Sequence, residues 1–155
     1  MRIGFGYDIH RFADNRELWL GGIKIPYDKG LLGHSDADVL LHAVCDALLG
    51  ASGEGDIGKL FPDTDPKYKD ISSIYLLEEV VKNVSLKGFV IENIDVTVIC
   101  EMPKIGPYSQ KIEQKISDVL SIDISRINIK AKTNEKIDAI GTGEAIAVHA
   151  VCLLS

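Results

Sequence analysis

The stretch EAIAVHAVCLL, residues 144–154, is apolar at almost every position, with one face of an extended chain as oily as the other. A strand with a solvated face alternates apolar and polar residues, whereas one buried on both faces does not. The pattern predicts a central strand of a sheet. His149, the polar exception, reads as a core or interface residue.

Outward from that strand, RINIKAK (126–132) and IENIDVTVIC (91–100) both alternate, as half-buried strands do. Between them MPKIGPY (102–108) breaks the pattern, and Ile112, Ile116 and Val119 mark a helix over about 109–120. A second helix is expected over 71–87, from the stripe Ile74, Leu77, Val81 and Val84 with Gly88 past its end. SDADVLLHAVCDALLGA carries Leu40, Leu41, Val44, Cys45, Leu48 and Leu49 at helical spacing, with Ser35 or Asp36 available as a cap. Residues 53–66 are glycine, proline and aspartate turn chemistry, and 28–36 read as a surface loop. Residues 2–7 and 17–25 read as strands, with Gly21-Gly22 as a turn inside the second. The expected architecture is α/β (α+β), a single sheet covered by helices on one face.

The 155 residues fit a single domain, 1–155, of 46% apolar and 26% charged composition. A net charge of −6 with no basic block argues against non-specific nucleic-acid or anionic-membrane binding. Cys45, Cys100 and Cys152 are odd in number and far apart, which predicts free thiols in a reducing, cytoplasmic setting. No apolar run approaches the ~20 residues of a membrane span.

Chemistry concentrates in a few places. In IGFGYDIHRF (3–12), Asp8 and His10 stand two apart and so project to the same side of a strand. His42 sits beside the apolar stripe of the 36–51 helix. An aspartate and two histidines make a three-ligand zinc site with an open fourth position, the catalytic rather than the structural pattern. The bland alternative is a chance D-x-H and a surface His–Asp pair. Asp38 and Asp46 flank His42 at i−4 and i+4, where either would orient its ring. His34 lies in a glycine-containing loop, free to reach a ligand or simply solvated. GDIGKLFPDTDP (55–66) and KTNEK (132–136) are turn and strand-end segments that suit a ligand or a plain connection equally.

Together, GYDIH (6–10), GLLGHSDADVLLHAVCDALLGA (30–51), GDIGKLFPDTDP, MPKIGPY and KTNEK resemble the 2-C-methyl-D-erythritol 2,4-cyclodiphosphate synthase family, in order and over nearly the whole chain. The resemblance implies a ferredoxin-like subunit with a single mixed sheet, assembled as a homotrimer with active sites between subunits. It implies a lyase of isoprene and terpenoid biosynthesis in the methylerythritol phosphate pathway. That enzyme turns 4-diphosphocytidyl-2-C-methyl-D-erythritol 2-phosphate into the cyclic diphosphate and releases CMP. By the same resemblance Asp8, His10 and His42 hold zinc, or another divalent transition metal, and Glu135 holds a magnesium or manganese ion on the diphosphate. His34 and Thr133 would stabilise the transition state, with Ser35 beside His34. Asp56, Ile57, Gly58, Phe61, Pro62, Asp63, Thr64 and Asp65 would enclose the methylerythritol part. Cys100, Glu101, Met102, Pro103, Lys104, Ile105 and Gly106, with Lys132, Thr133, Asn134 and Glu135, would form the neighbouring subunit's nucleotide pocket. The expected partners are the cytidine diphosphate substrate and two further copies of the chain, with neither nucleic acid nor membrane.

The chain departs from the family at Ala139 and Thr142, where many members carry an aromatic residue and an arginine lining a central trimer cavity for an isoprenoid diphosphate. Ile105, Gly106 and Lys132 also differ from common choices. Two other functions fit the same ligands: a zinc phosphohydrolase, and an inactive nucleotide- or isoprenoid-binding trimer.

Overall fold

The structure, a computed structural model, describes residues 1–62, 64–68 and 71–155. Strand β7 (Ala145–Leu154) lies inside a five-stranded sheet ordered β4-β1-β7-β5-β6, paired antiparallel on both sides, as its apolar sequence demands. Its partners are β1 (Arg2–Asp14) and β5 (Ile91–Ile99). Beyond β5 lies β6 (Ile127–Lys132), parallel to it, and at the other edge the short β4 (Lys29–Leu31) meets the end of β1. The 28–36 segment, expected as loop, thus contributes an edge strand. Strands β2 (Leu18–Leu20) and β3 (Ile23–Ile25) form a separate hairpin closed by Gly21 and Gly22, both at positive φ.

Three long helices, α1 (Val39–Ser52), α3 (Ser73–Leu86) and α4 (Ser109–Leu120), fall where the periodicity predicts them. Two single-turn helices, α2 (Ile57–Leu60) and α5 (Asp138–Gly141), sit in segments that have no such stripe. Helix α1 packs on β1 and β7, α4 packs on β6, and α3 lies against α1 and α4. The helices cover one face of the sheet. On β1, Gly4 and Gly6 point into them while Ile3, Phe5, Tyr7 and Ile9 point out.

The contact between α1 and β1 is unusually close. A Cβ on Gly4 would lie 1.8 Å from the Ala47 carbonyl oxygen, and one on Gly6 would lie 1.9 Å from that of Ala43. Only glycine permits a helix backbone to rest on a strand in this way. The contact aligns α1 so that His42, one residue before Ala43, comes over the stretch of β1 beyond Gly6.

The cap of α1 is Asp38, where Ser35 or Asp36 was expected. Its carboxylate accepts from the Leu41 N–H at 3.1 Å and also from Gly21 and Gly22 N–H at 2.9 and 2.7 Å. One side chain therefore starts the helix and fastens the hairpin to it. The ferredoxin-like expectation holds for the layers but not for the winding. Around the four main strands the chain runs β-α-β-α-β-β, in the order β1-β7-β5-β6, and not β-α-β-β-α-β. Apolar period fixes which face a strand buries, whereas strand order is a long-range property that leaves no local mark.

Candidate metal centre and flanking clefts

Strand β1 does not end at Tyr7, as the 2–7 reading expected, but continues to Asp14, so Asp8 and His10 lie mid-strand. Backbone pairing to β7, with Asp8 opposite Val148 and His10 opposite Ile146, holds these polar residues extended. Both side chains point to the helix side, where α1 brings in His42. Asp8 Oδ2, His10 Nε2 and His42 Nδ1 converge: 2.9 Å from Asp8 to His10, 3.1 Å from Asp8 to His42 and 3.3 Å between the two rings. Ligands about 2.0–2.1 Å from a tetrahedral ion stand roughly 3.3–3.4 Å apart, so the three atoms sit within a few tenths of an ångström of a zinc-ligand face.

The tautomers fit as well. His10 Nδ1 lies 2.8 Å from the Leu32 carbonyl, to which it must donate, which leaves Nε2 turned to the centre. Burial pushes the Asp8 carboxyl up, but hydrogen bonds and charge from His10 and His42 outweigh it and hold it at about 2. Burial pushes His10 down, but its bond to Asp8 wins and raises it above the usual 6.5. When the His10 ring is charged, the proton between it and Asp8 competes with a cation for the same atoms.

Neither Asp38 nor Asp46 orients His42. Asp38 is committed to the hairpin, and Asp46 Oδ1 accepts from the Ile57 N–H at 2.7 Å, which ties α2 to α1. The partners of His42 Nε2 are instead Ser73 Oγ at 3.0 Å and Ser35 Oγ at 3.2 Å. Ser73 gave no signal in the sequence. It is simply the second serine at the start of α3, and its neighbour Ser72 is the cap.

Beside the centre opens a cleft of about 400 Å³ lined by His10, His34, Ser35, His42, Ile57, Gly58, Phe61 and Pro62. Tyr68, Ile71 and Leu76, unremarked in the sequence, complete its wall. Asp56 caps α2, accepting from the Lys59 N–H at 2.9 Å, and Asp65 accepts from the Lys67 N–H at 3.0 Å. These two residues and Thr64 are not part of that wall, and Asp63 lies outside the described residues. A second cavity, about 240 Å³, shares no residue with the first. Cys100, Lys104, Ile105, Gly106, Lys132 and Thr133 line it with Pro107 and Ala131. Glu101 Oε1 braces its rim by accepting from the Asn134 and Lys136 N–H groups at 2.9 and 3.2 Å, and Thr133 donates to Glu135 at 2.8 Å. Met102, Pro103, Asn134 and Glu135 stay outside the lining.

A mixed-sheet α/β protein with an open Asp-His-His face beside a ligand-sized cleft has the donor set of a metal-assisted enzyme. The particular relationship follows from comparison with known proteins. The YgbB family model matches residues 1–155, and the chain belongs to that family. It is 56% identical over 154 residues to the 2-C-methyl-D-erythritol 2,4-cyclodiphosphate synthase of Clostridium acetobutylicum, covering 99% of each chain. It is 55% identical over 155 residues to the enzyme of that name from Lachnospira eligens, covering all of this chain and 85% of the relative. A solved structure of a synthase of the same name, in its CDP-bound form, superposes with a TM-score of 0.91 at 37% identity, over 99% of this chain and 100% of that one.

Proposed function

We propose that residues 1–155, acting as one domain, convert 4-diphosphocytidyl-2-C-methyl-D-erythritol 2-phosphate to 2-C-methyl-D-erythritol 2,4-cyclodiphosphate and CMP. The observation that carries this is the convergence of Asp8, His10 and His42 at the mouth of the larger cleft, in a chain more than half identical to synthases of that name. Zinc held by these three residues would supply Lewis acidity and charge neutralisation at the β-phosphate.

The chain's own residues have a positioning task. The nucleophile is the substrate's 2-phosphate, whose second pKa near ~6 leaves it mostly ionised at neutral pH. No strong base is needed, and the barrier is that of bringing two anions into line. His34 and Ser35, on the cleft wall, would donate to the 2-phosphate. Ile57, Gly58, Phe61 and Pro62 would exclude water from the methylerythritol part, with Asp56, Asp63, Thr64 and Asp65 around it. In the second cavity Lys104 and Lys132 would hold phosphate, the backbone of 100–106 would bind the cytosine, and Thr133 would donate to the transferring phosphoryl group. Glu135 would bind a magnesium or manganese ion carried by the diphosphate.

The two cavities share no residue, which suits a site completed by a neighbouring subunit. A homotrimer is further supported by the uncovered sheet face, where Ile3, Phe5, Tyr7 and Ile9 are 75, 61, 46 and 43% exposed. Cys45, Cys100 and Cys152 are free and buried, the state a cytoplasmic compartment maintains. Among the described residues no helix is long and apolar enough to cross a membrane.

Phosphorus NMR of the protein with substrate and magnesium tests the assignment. Two coupled cyclic-diphosphate resonances with CMP, lost on adding a zinc chelator, are expected. Inorganic phosphate or an open-chain product would replace the cyclase with a hydrolase.

A further inference from the structure

Ser73 is fully buried at the first position of α3 and holds Asp36 twice. Its backbone N–H donates to Asp36 Oδ2 at 2.9 Å, and its hydroxyl donates to Oδ1. An ionised carboxylate only accepts, so the single hydroxyl proton of Ser73 is committed to Asp36. What Ser73 presents to His42 Nε2, 3.0 Å away, is a lone pair. With a cation on Nδ1 the ring proton sits on Nε2, and that lone pair, with Ser35 Oγ at 3.2 Å, is there to accept it. Nδ1 is the atom that meets Asp8 and His10, and a cation there displaces its hydrogen bond to the Asp8 carboxylate.

We propose that Asp36 and Ser73 are positioning residues: a carboxylate–hydroxyl–imidazole chain that accepts the His42 Nε2–H when a cation takes Nδ1, aims Nδ1 at that cation, and ties the His34–Ser35 loop to the metal centre. The proposal rests on the metal reading of the Asp8–His10–His42 face. Its mechanical half is visible in the backbone. Asp36 N–H donates to the Ile71 carbonyl at 3.1 Å, and the Arg16 guanidinium donates to the Ser35 carbonyl at 3.0 Å. The loop that carries His34 is thus stitched to the start of α3 by the same residue that orients the ligand. A carboxylate at the end of such a chain also makes the distal nitrogen a better donor to the cation.

The test uses the full chain, metal-free, as the unmodified protein and as Ser73→Ala, Asp36→Asn and Ser73→Thr. Zinc and cobalt(II) are titrated against a chromophoric chelator, and the His42 Nε2–H of the zinc-loaded protein is followed by proton–nitrogen NMR. Ser73→Ala and Asp36→Asn are expected to weaken both metals by about 10–100-fold and to move that proton upfield with faster solvent exchange. Ser73→Thr, which keeps the hydroxyl, is expected to restore both readouts. A purely structural role for Ser73 would lower the melting temperature and leave the Nε2–H signal alone. Unchanged affinity and Nε2–H signal in folded Ser73→Ala would overturn the proposal. So would an Nε2–H that exchanges as freely as a solvated imidazole in the unmodified zinc-loaded protein, a result that needs no variant to fold. Absence of zinc binding by the unmodified protein would remove the metal reading and the proposal with it.

Discussion

Asp8 and His10 share a proton whenever the ring is charged, and a cation would displace it, which ties the centre to pH. In the metal-free protein the two shifts act in separate windows. Asp8, lowered from 3.8 to about 2, contributes stability that is present above pH 3.8 and is lost as pH falls toward 2. His10, raised above 6.5, contributes stability that is complete below pH 6.5 and is lost as pH rises through its raised value. A metal needs the ring unprotonated, so binding runs opposite to the His10 contribution. Zinc affinity should therefore fall by roughly tenfold per unit as pH drops below the His10 value, with about one proton released per ion. Calorimetry in buffers of different ionisation heat reads both quantities, and affinity that stays flat across that range would contradict the shared proton. Asp8 and His10 were legible in the sequence because period two put them on one side. Ser73 was not, because its role comes from a partner 31 residues away.

The join between α1 and the β2–β3 hairpin depends on Asp38. Burial raises its carboxyl above the usual range, helped by the charge of Asp36, and three backbone N–H groups only partly offset this. Asp38→Ala would remove a helix cap, worth roughly 0.5–2 kcal/mol, and leave two buried hairpin N–H groups unpaired, at about 1–3 kcal/mol each. A loss of about 3 kcal/mol in urea unfolding is expected, with zinc affinity of the folded protein retained. A parallel loss of zinc affinity would assign Asp38 to the centre after all. The extents of α1, α3 and α4 were legible because apolar side chains recur every three or four residues along them. β4, α2 and α5 were not, being three or four residues long and held by contacts from elsewhere.

For the molecule as a whole, the helix-free sheet face is the feature that the proposed trimer would cover. Phe5, Tyr7 and His149 cluster there, with ring centroids 5.7 and 4.9 Å from that of His149, and Val151 is also exposed. If the proposed trimer forms through this face, Phe5→Asp should convert it to monomers by analytical ultracentrifugation and abolish turnover, because a site shared between subunits would lose its second cavity. An active monomer would refute the shared site. Mixing separately inactive His42→Ala and Lys104→Ala chains, refolded together in equal amounts, should restore roughly a quarter of the activity, since each half-site is drawn independently. No recovery would place both halves on one chain.

The amino-acid sequence by itself determined the layers, the buried central strand, the three long helices and the face shared by Asp8 and His10. All of these follow from residue periodicity, which is a local property. The tertiary structure alone decided the rest: the strand order, the run of β1 through its polar stretch to Asp14, and the meeting of His42 with Asp8 across 34 residues. It also decided which groups orient that histidine. Each depends on distant segments meeting, through a helix resting on two glycines, a strand paired along its length and a carboxylate reaching three N–H groups. Such contacts are energetically decisive, and the residues that make them look ordinary in the sequence.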